Sequence, residues 1–244
     1  MKIIVKIVSY FFLFLATFLP IMSSDPLCVS LGSMCTTALA LRQLGLRSEA
    51  FPFDWIPTPF SALYEVIKND FEHFLTNIQL TTNGMAVTDH YEFYFAHDFP
   101  VISTPNIDSL LIDVVEGNST LAPGWENSIQ FVKEKYKRRI ERFLNLRYRK
   151  QKIFFIRWDG KCTVSPYEKE VFISQKEAIL LRDLIEEKYP KINFTLIILS
   201  ENKDFEKPWK LKKIKNFYLP QHADITTIKQ TFMKFDKKLN KMLR

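Results

Sequence analysis

NFTLIILS, residues 193–200, is the stretch whose reading decides the fold. From Phe194 to Leu199 only Thr195 interrupts a run of aliphatic and aromatic side chains. The run is too short for a helix, and its lack of polar alternation means both faces of the strand are covered rather than one. Two other stretches read the same way: KIFFIRW, residues 152–158, and IKNFYLP, residues 214–220. Between the first two strands, Ser174-Gln175-Lys176-Glu177 is a capping-box pattern. Ala178, Leu181, Leu184 and Ile185 then recur at helical spacing until Pro190. ITTIKQTFMKFDKKLNKML, residues 225–243, forms a closing helix. Strand, helix, strand, strand, helix with near-continuous apolar strands predicts an α/β fold, a mostly parallel central sheet flanked by helices.

Toward the N-terminus, LCVSLG (residues 27–32) is another short buried strand ended by a glycine. Ser33 is placed to N-cap a helix from Met34 to Leu44, with Ala38, Leu41 and Leu44 on its apolar face, Leu39 beside them, and Gly45 as the stop. FPFDWIPTPF, residues 51–60, holds three prolines, which exclude a regular helix or a central strand. Its aromatic residues make it an ordered loop. SALYEVIKNDFEHFL, residues 61–75, carries Leu63, Ile67, Phe71 and Phe74 at helical spacing. Residues 76–127 are the least patterned, although HYEFYFAHDFP (residues 90–100) alternates enough to predict a strand ending near His97. ENSIQFVKEKYKRRIERFLNL, residues 126–146, is a strongly amphipathic helix with Ile129, Val132, Tyr136, Ile140 and Phe143 on one face.

The 244 residues suffice for one domain with a large core, and 22 phenylalanines make that core aromatic. Residues 1–24 stand apart. Lys2 and Lys6 precede an uncharged apolar run that ends at Ser23-Ser24, the layout of a secretory signal peptide. An uncleaved N-terminal anchor is the alternative, and these residues would then be the chain's membrane contact. A single domain is expected over residues 25–244. The net charge of +7 is concentrated in Lys133–Lys152 (10 basic, 2 acidic residues) and Asn202–Arg244 (12 basic, 4 acidic). No nucleic-acid motif accompanies the charge, so it reads as a solvated basic face and no nucleic-acid partner is expected. Cys28, Cys35 and Cys162 are an odd set: a Cys28–Cys162 disulfide with Cys35 free, or three reduced thiols. No spacing suits a zinc site, and no cofactor is expected. Of the two glycosylation sequons, at Asn118 and Asn193, only the first lies outside a buried strand.

Cys35 sits in the first turn of its helix, where the positive end of the macrodipole and free N–H groups favour a thiolate. The bland alternative is a small core residue. A nucleophilic thiol needs a base, and His73, His90, His97 and His222 are the chain's four histidines. His97 precedes Asp98 at the expected strand end, although adjacent strand residues face opposite ways. Asp54, in the aromatic loop, is a second candidate to orient the base; its alternative role is to cap that loop's backbone. The sheet supplies a rival. Ligands of open parallel sheets bind beyond the carboxyl ends of the strands, which would gather Cys35, Asp159, Glu201 and His222 on one edge, with Asp224 beside His222.

VSLGSMCTTALALRQLGLRSEAFPFDW, then NDFEHFL, then YFAHDFP, resembles a domain family of unknown function described as papain-like cysteine peptidases. The ordered match runs from Leu27 to Pro100, with weaker agreement at IFFIRW and beyond. The resemblance implies a nucleophile at Cys35, a base at His97 and Asp98 or Asp54 as orienter, acting on a peptide, isopeptide or ester. It also implies an α+β papain-like fold as the alternative to the parallel sheet. No glutamine upstream of Cys35 matches an oxyanion-hole partner; Gln43 lies downstream. Two other readings stand beside the exported thiol hydrolase. One is a non-catalytic secreted binding protein in which the SLGSMC turn and PFDW loop are structural. The other is a transferase or hydrolase with its site at the sheet's carboxyl edge, centred on His222.

Overall fold

In chain order the elements are β1 (Leu27–Ser30), α1 (Cys35–Gln43), α2 (Phe60–Lys68), β2 (Gln79–Leu80), β3 (Val87–Thr88), β4 (Val101–Ser103), β5 (Ser119–Leu121), α3 (Ile129–Leu144), β6 (Ile153–Asp159), α4 (Gln175–Lys188), β7 (Phe194–Ser200), β8 (Ile214–Tyr218), α5 (Ile225–Met233) and α6 (Lys237–Met242). The computed structural model describes residues 25–81, 86–95, 97–103, 119–160, 172–220 and 222–244. The expected signal segment, Cys162 and Asn118 lie outside the described residues. No helix among the described residues is long and apolar enough to cross a membrane.

Four strands form one sheet in the order β1-β6-β7-β8, and all three pairings are parallel. Parallel strands need crossovers, and the crossovers put helices on both faces. Alternate strand residues therefore enter two cores. Leu27, Val29, Ile153, Phe155, Leu196 and Ile198 meet α2, α3 and α4. Cys28, Phe154, Ile156, Trp158, Ile197 and Leu199 meet α1, α5 and α6. The α/β expectation therefore holds, and the antiparallel pairs β2–β3 and β4–β5 are small appendages.

The aromatic loop fills the first core. Phe53 stacks on Phe71 at 5.6 Å between ring centroids and meets Phe143 of α3 edge-on, also at 5.6 Å. Pro52, Pro57 and Pro59 leave this stretch without regular structure, yet Phe51, Phe53 and Ile56 are fully buried.

Four local expectations need correction. The cap of α1 is Met34, not Ser33, and it contributes no side-chain hydrogen bond. Ser33 instead turns its chain left-handed at φ 74° and buries its side chain. The helix expected through Phe74 ends at Lys68. Asp70 (φ 50°) takes the left-handed position that glycine usually fills, and Phe71 N–H donates to Val66 O at 2.8 Å, closing a Schellman turn. The described residues between 90 and 98 form no strand. Asp89 captures the chain there: its carboxylate accepts from the N–H groups of Leu75 (2.8 Å), Tyr91 (3.0 Å) and Phe93 (3.2 Å). The closing helix expected over residues 225–243 is also two, α5 and α6, broken where Asp236 caps the second; the signals of α4 and the stop of α1 hold. Ser174 and Glu177 form the reciprocal capping box, and Gly45 (φ 68°) ends α1.

Asp89 gives a pH prediction. Burial, opposed by its three N–H donors, pushes the carboxyl up from 3.8 to about 6. The folded chain then holds this proton more tightly than the unfolded chain, so the contribution of Asp89 is full below the unfolded value and is lost as pH rises through about 6. Asp89→Asn should therefore gain stability relative to the native protein between pH 4 and pH 7, by up to about 3 kcal/mol. Denaturant midpoints at the two pH values measure it.

Candidate active site

The strand-to-helix elbow from Ser30 to Thr37 places Cys35. Gly32 (φ 72°) and Ser33 (φ 74°) are consecutive left-handed residues, which reverse the chain at the carboxyl end of β1. Short side chains staple the reversal. Gly32 N–H donates to Ser30 Oγ at 3.2 Å, Thr37 Oγ1 donates to Gly32 O at 3.1 Å, and Thr58 N–H donates to Ser33 O at 3.3 Å. Close approach of the aromatic loop makes glycine obligatory at position 32: a Cβ there would lie 2.1 Å from Thr58 Oγ1. Gly32→Ala adds a left-handed alanine to that clash and should lose about 2–4 kcal/mol, read as a lower denaturant midpoint.

Beneath the elbow lies an ion pair with no exposed surface. Arg157 Nε is 2.8 Å from Asp159 Oδ1, both side chains being 0% exposed. Arg157 Nη1 donates to Thr58 O at 2.8 Å, and Ile173 N–H donates to Asp159 Oδ2 at 2.6 Å. Ser33 hydrogen-bonds the same carboxylate. Burial works to push the Asp159 carboxyl up, while Arg157, Ile173 N–H and Ser33 pull it back. One ion pair thus joins four segments: the elbow, the aromatic loop, β6 and the entry to α4.

On that platform Cys35 is the first residue of α1 and half-exposed. Cys28 is buried on β1, and burial pushes its pKa up to about 12. The two thiols differ in the direction that chemistry requires: one has solvent access at a helix's positive end, and the other is a core residue.

The other candidates sit as follows. His97 lies against Trp55, ring centroids 6.3 Å apart and nearly perpendicular. Trp55 in turn takes the guanidinium groups of Arg42 at 6.0 Å and Arg47 at 5.8 Å. His97 is thus linked through Trp55 to Arg42, in the last turn of the helix that Cys35 opens. The surrounding protein pushes the His97 pKa below its ordinary 6.5, and Asp98 opposes this. Asp98 itself accepts from Lys135 and from Tyr136 Oη (2.7 Å), both on α3. Asp54 accepts from Arg47 Nη2 at 2.7 Å and Nε at 3.0 Å, and from Phe51 N–H at 3.0 Å, which pins the aromatic loop. Desolvation pushes its carboxyl up, with Arg47 opposing.

His222 is exposed on the turn after β8, and Asp224 N-caps α5 by accepting from Thr227 N–H at 2.9 Å. The strands being parallel, Cys35, Asp159, Glu201 and His222 do share the carboxyl edge. The strand order separates them along it: β1 and β8 are the two outer strands, about 14 Å apart at 4.8 Å per step. Glu201 lines a cavity of about 660 Å³ with Ser174, Glu177, Asn202 and Phe205. Among the described residues, no group of three His, Cys, Asp or Glu is arranged to hold a metal ion.

Residues 27–203 match the family described as "Putative papain-like cysteine peptidase (DUF1796)". That span holds the elbow, the aromatic loop, His97-Asp98 and the Arg157–Asp159 pair, and covers well over half of the 244 residues. The chain belongs to this family. The family match extends past Pro100, so β1, β6 and β7 of the parallel sheet lie within the matched span and β8 lies beyond it. An uncharacterized protein, R408, of Acanthamoeba polyphaga mimivirus is 30% identical over 162 residues, which cover 57% of this chain and 65% of the viral protein. The chain thus spans just under two thirds of that relative's length. No solved structure matches.

Residue patterns missed the Arg157–Asp159 pair, and a signal for it was present. In IFFIRWD two charges stand two residues apart inside an otherwise apolar strand. Period 2 puts them on one face, and two opposite charges buried together must pair.

Proposed function

We propose that the protein is an exported thiol hydrolase of the papain-like type, with Cys35 as nucleophile and His97 as base. The observation that carries the reading is the half-exposed Cys35 thiol at the first position of α1, on an elbow held rigid from below. In this reaction His97 takes the thiol proton, and the Cys35 sulfur attacks the acyl carbon of a peptide, isopeptide or ester. Backbone N–H groups of the first helical turn hold the oxyanion. His97 returns the proton to the leaving amine or alcohol as the C–N or C–O bond breaks. Water, deprotonated by His97, then cleaves the thioester and restores the thiol. A His97 pKa below 6.5 keeps the ring neutral, and so able to accept a proton, at neutral pH. Export rests on the charge and hydropathy pattern of residues 1–24.

His97 is chosen over His222 because Trp55 links it to Arg42 of α1, the helix that follows β1, whereas His222 follows the opposite outer strand. Activity-based thiol-probe labelling of single alanine variants tests the choice. His97→Ala should lower labelling by about 10²-fold or more and His222→Ala should leave it within twofold. Loss with His222→Ala alone would transfer the base to the carboxyl edge.

A second reading draws on the partners of Asp54 and Asp98. Both carboxylates are engaged by Arg47, Lys135 and Tyr136, which suits a non-catalytic interaction protein whose turn and loop are structural. That protein would show slow Cys35 alkylation that speeds up on denaturation.

A further inference from the structure

We propose that the groove beside β8 (Ile214–Tyr218) is a docking site for an extended acidic peptide, which adds to the sheet as a fifth strand. The inference is independent of the chemistry assigned to Cys35.

β8 differs from the other three strands. Every residue of β1, β6 and β7 is buried, whereas Lys215 is exposed and Phe217 and Tyr218 are half-buried. Its inner edge is fixed by the parallel register. Leu196 N–H donates to Lys213 O and Leu219 N–H donates to Ser200 O, each at 2.8 Å. Residues 213, 215, 217 and 219 thus turn their backbone groups to β7, and residues 214, 216 and 218 turn theirs outward. Ile214 N–H is taken by Leu211 O at 3.3 Å. Asn216 and Tyr218 present an outward N–H and C=O each, the pattern that strand addition requires.

Two walls flank this edge, one of them meeting it at its start through the Ile214–Leu211 hydrogen bond. The Phe205–Leu211 segment is fastened to the Asn216 side chain, whose Oδ1 accepts from Trp209 N–H (2.8 Å) and whose Nδ2 donates to Phe205 O and Lys207 O (both 2.9 Å). The other wall is the end of α5, through Thr231 and the C-cap residue Lys234. Between them is a cavity of about 710 Å³. Five strand residues span about 17 Å, so a guest of about five residues matches β8.

Charge and side-chain alternation select the guest. Lys210, Lys215 and Lys234 line the groove against a single acid, Glu206, although Lys215 Nζ also donates to Phe235 O at 2.7 Å. The first wall offers Trp209 and Lys210, β8 itself Lys215 and Tyr218, and the other wall Lys234. A strand sends alternate side chains to opposite walls, so an alternating apolar and acidic sequence fits both. A second copy fits poorly, because pairing β8 with β8 would bring the lysines of both copies together.

The probe is a fluorescein-labelled nonapeptide of alternating Glu and Val, titrated with the full chain and read by anisotropy, with hydrogen exchange of the chain alongside. Saturable binding, slowed exchange at the Asn216 and Tyr218 amides, and at least tenfold weaker binding to K210E/K234E are expected. Neither lysine belongs to the candidate active site, and an unchanged unfolding transition of the double variant separates lost docking from lost folding. Three results would overturn the proposal: no saturable binding, equal binding of an alternating Lys and Val peptide, or binding without protection of those two amides. A concentration-dependent dimer that protects them without peptide would also overturn it, in favour of a second copy.

Discussion

Arg157→Met is expected to destabilise the fold by about 3–5 kcal/mol, the largest stability effect of any single change considered. Arg157 and Asp159 are both without exposed surface and meet at 2.8 Å. Removing the guanidinium leaves the Asp159 carboxylate with the donors Ile173 N–H and Ser33 but no countercharge, and deprives Thr58 O of its donor. A carboxylate so placed either stays charged at high cost or takes up a proton. The loss should therefore be smaller at pH 5 than at pH 8, because protonation relieves it. Arg157→Met/Asp159→Leu, which removes both charges, should recover more than half of the loss, since an apolar pair of similar volume avoids the desolvation cost. Urea unfolding of the four-member cycle measures the coupling. The elbow should loosen together with the pair, because Ser33 and Thr58 are its attachment points.

Cys35→Ala is expected to abolish hydrolysis, by at least about a thousandfold in kcat/KM, with the unfolding transition changed by less than about 1 kcal/mol. A half-exposed side chain at a helix start carries little packing energy, so chemistry and stability separate at this position. Cys28→Ala should show the reverse pattern. Cys28 is 2% exposed among Leu41, Phe154 and other residues of the second core, so its loss should lower stability and spare activity. The pair of variants distinguishes a reactive thiol from a structural one without reference to substrate.

The parallel sheet was legible because strands buried on both faces need continuous apolar runs, and NFTLIILS and KIFFIRW are such runs. The elbow was legible in part. Gly32 and Cys35 stand out in the pattern, but Ser33 reads as a cap because a serine hydroxyl before a helix commonly serves that helix's first N–H groups. Here its long-range partner is Asp159, more than a hundred residues away. The same physics hid the 69–98 region. Asp70 adopts a conformation usual for glycine, and Asp89 reaches back to Leu75 to replace the ladder that the alternation in HYEFYFAHDFP implied. The partners of Asp54 and Asp98 were equally out of reach. Lys135 and Tyr136 meet Asp98 only because α3 packs across the aromatic loop.

The central claim is that the start of α1 activates Cys35. The direct measurement is the rate of Cys35 carbamidomethylation by iodoacetamide against pH, in the native full chain, with the modified residue located by mass spectrometry. The account predicts a rate that titrates at least about one pH unit below the free-thiol value near 8.5 and falls to the free-thiol profile on denaturation. A native rate that titrates at or above 8.5, or that rises only when the chain unfolds, would contradict it.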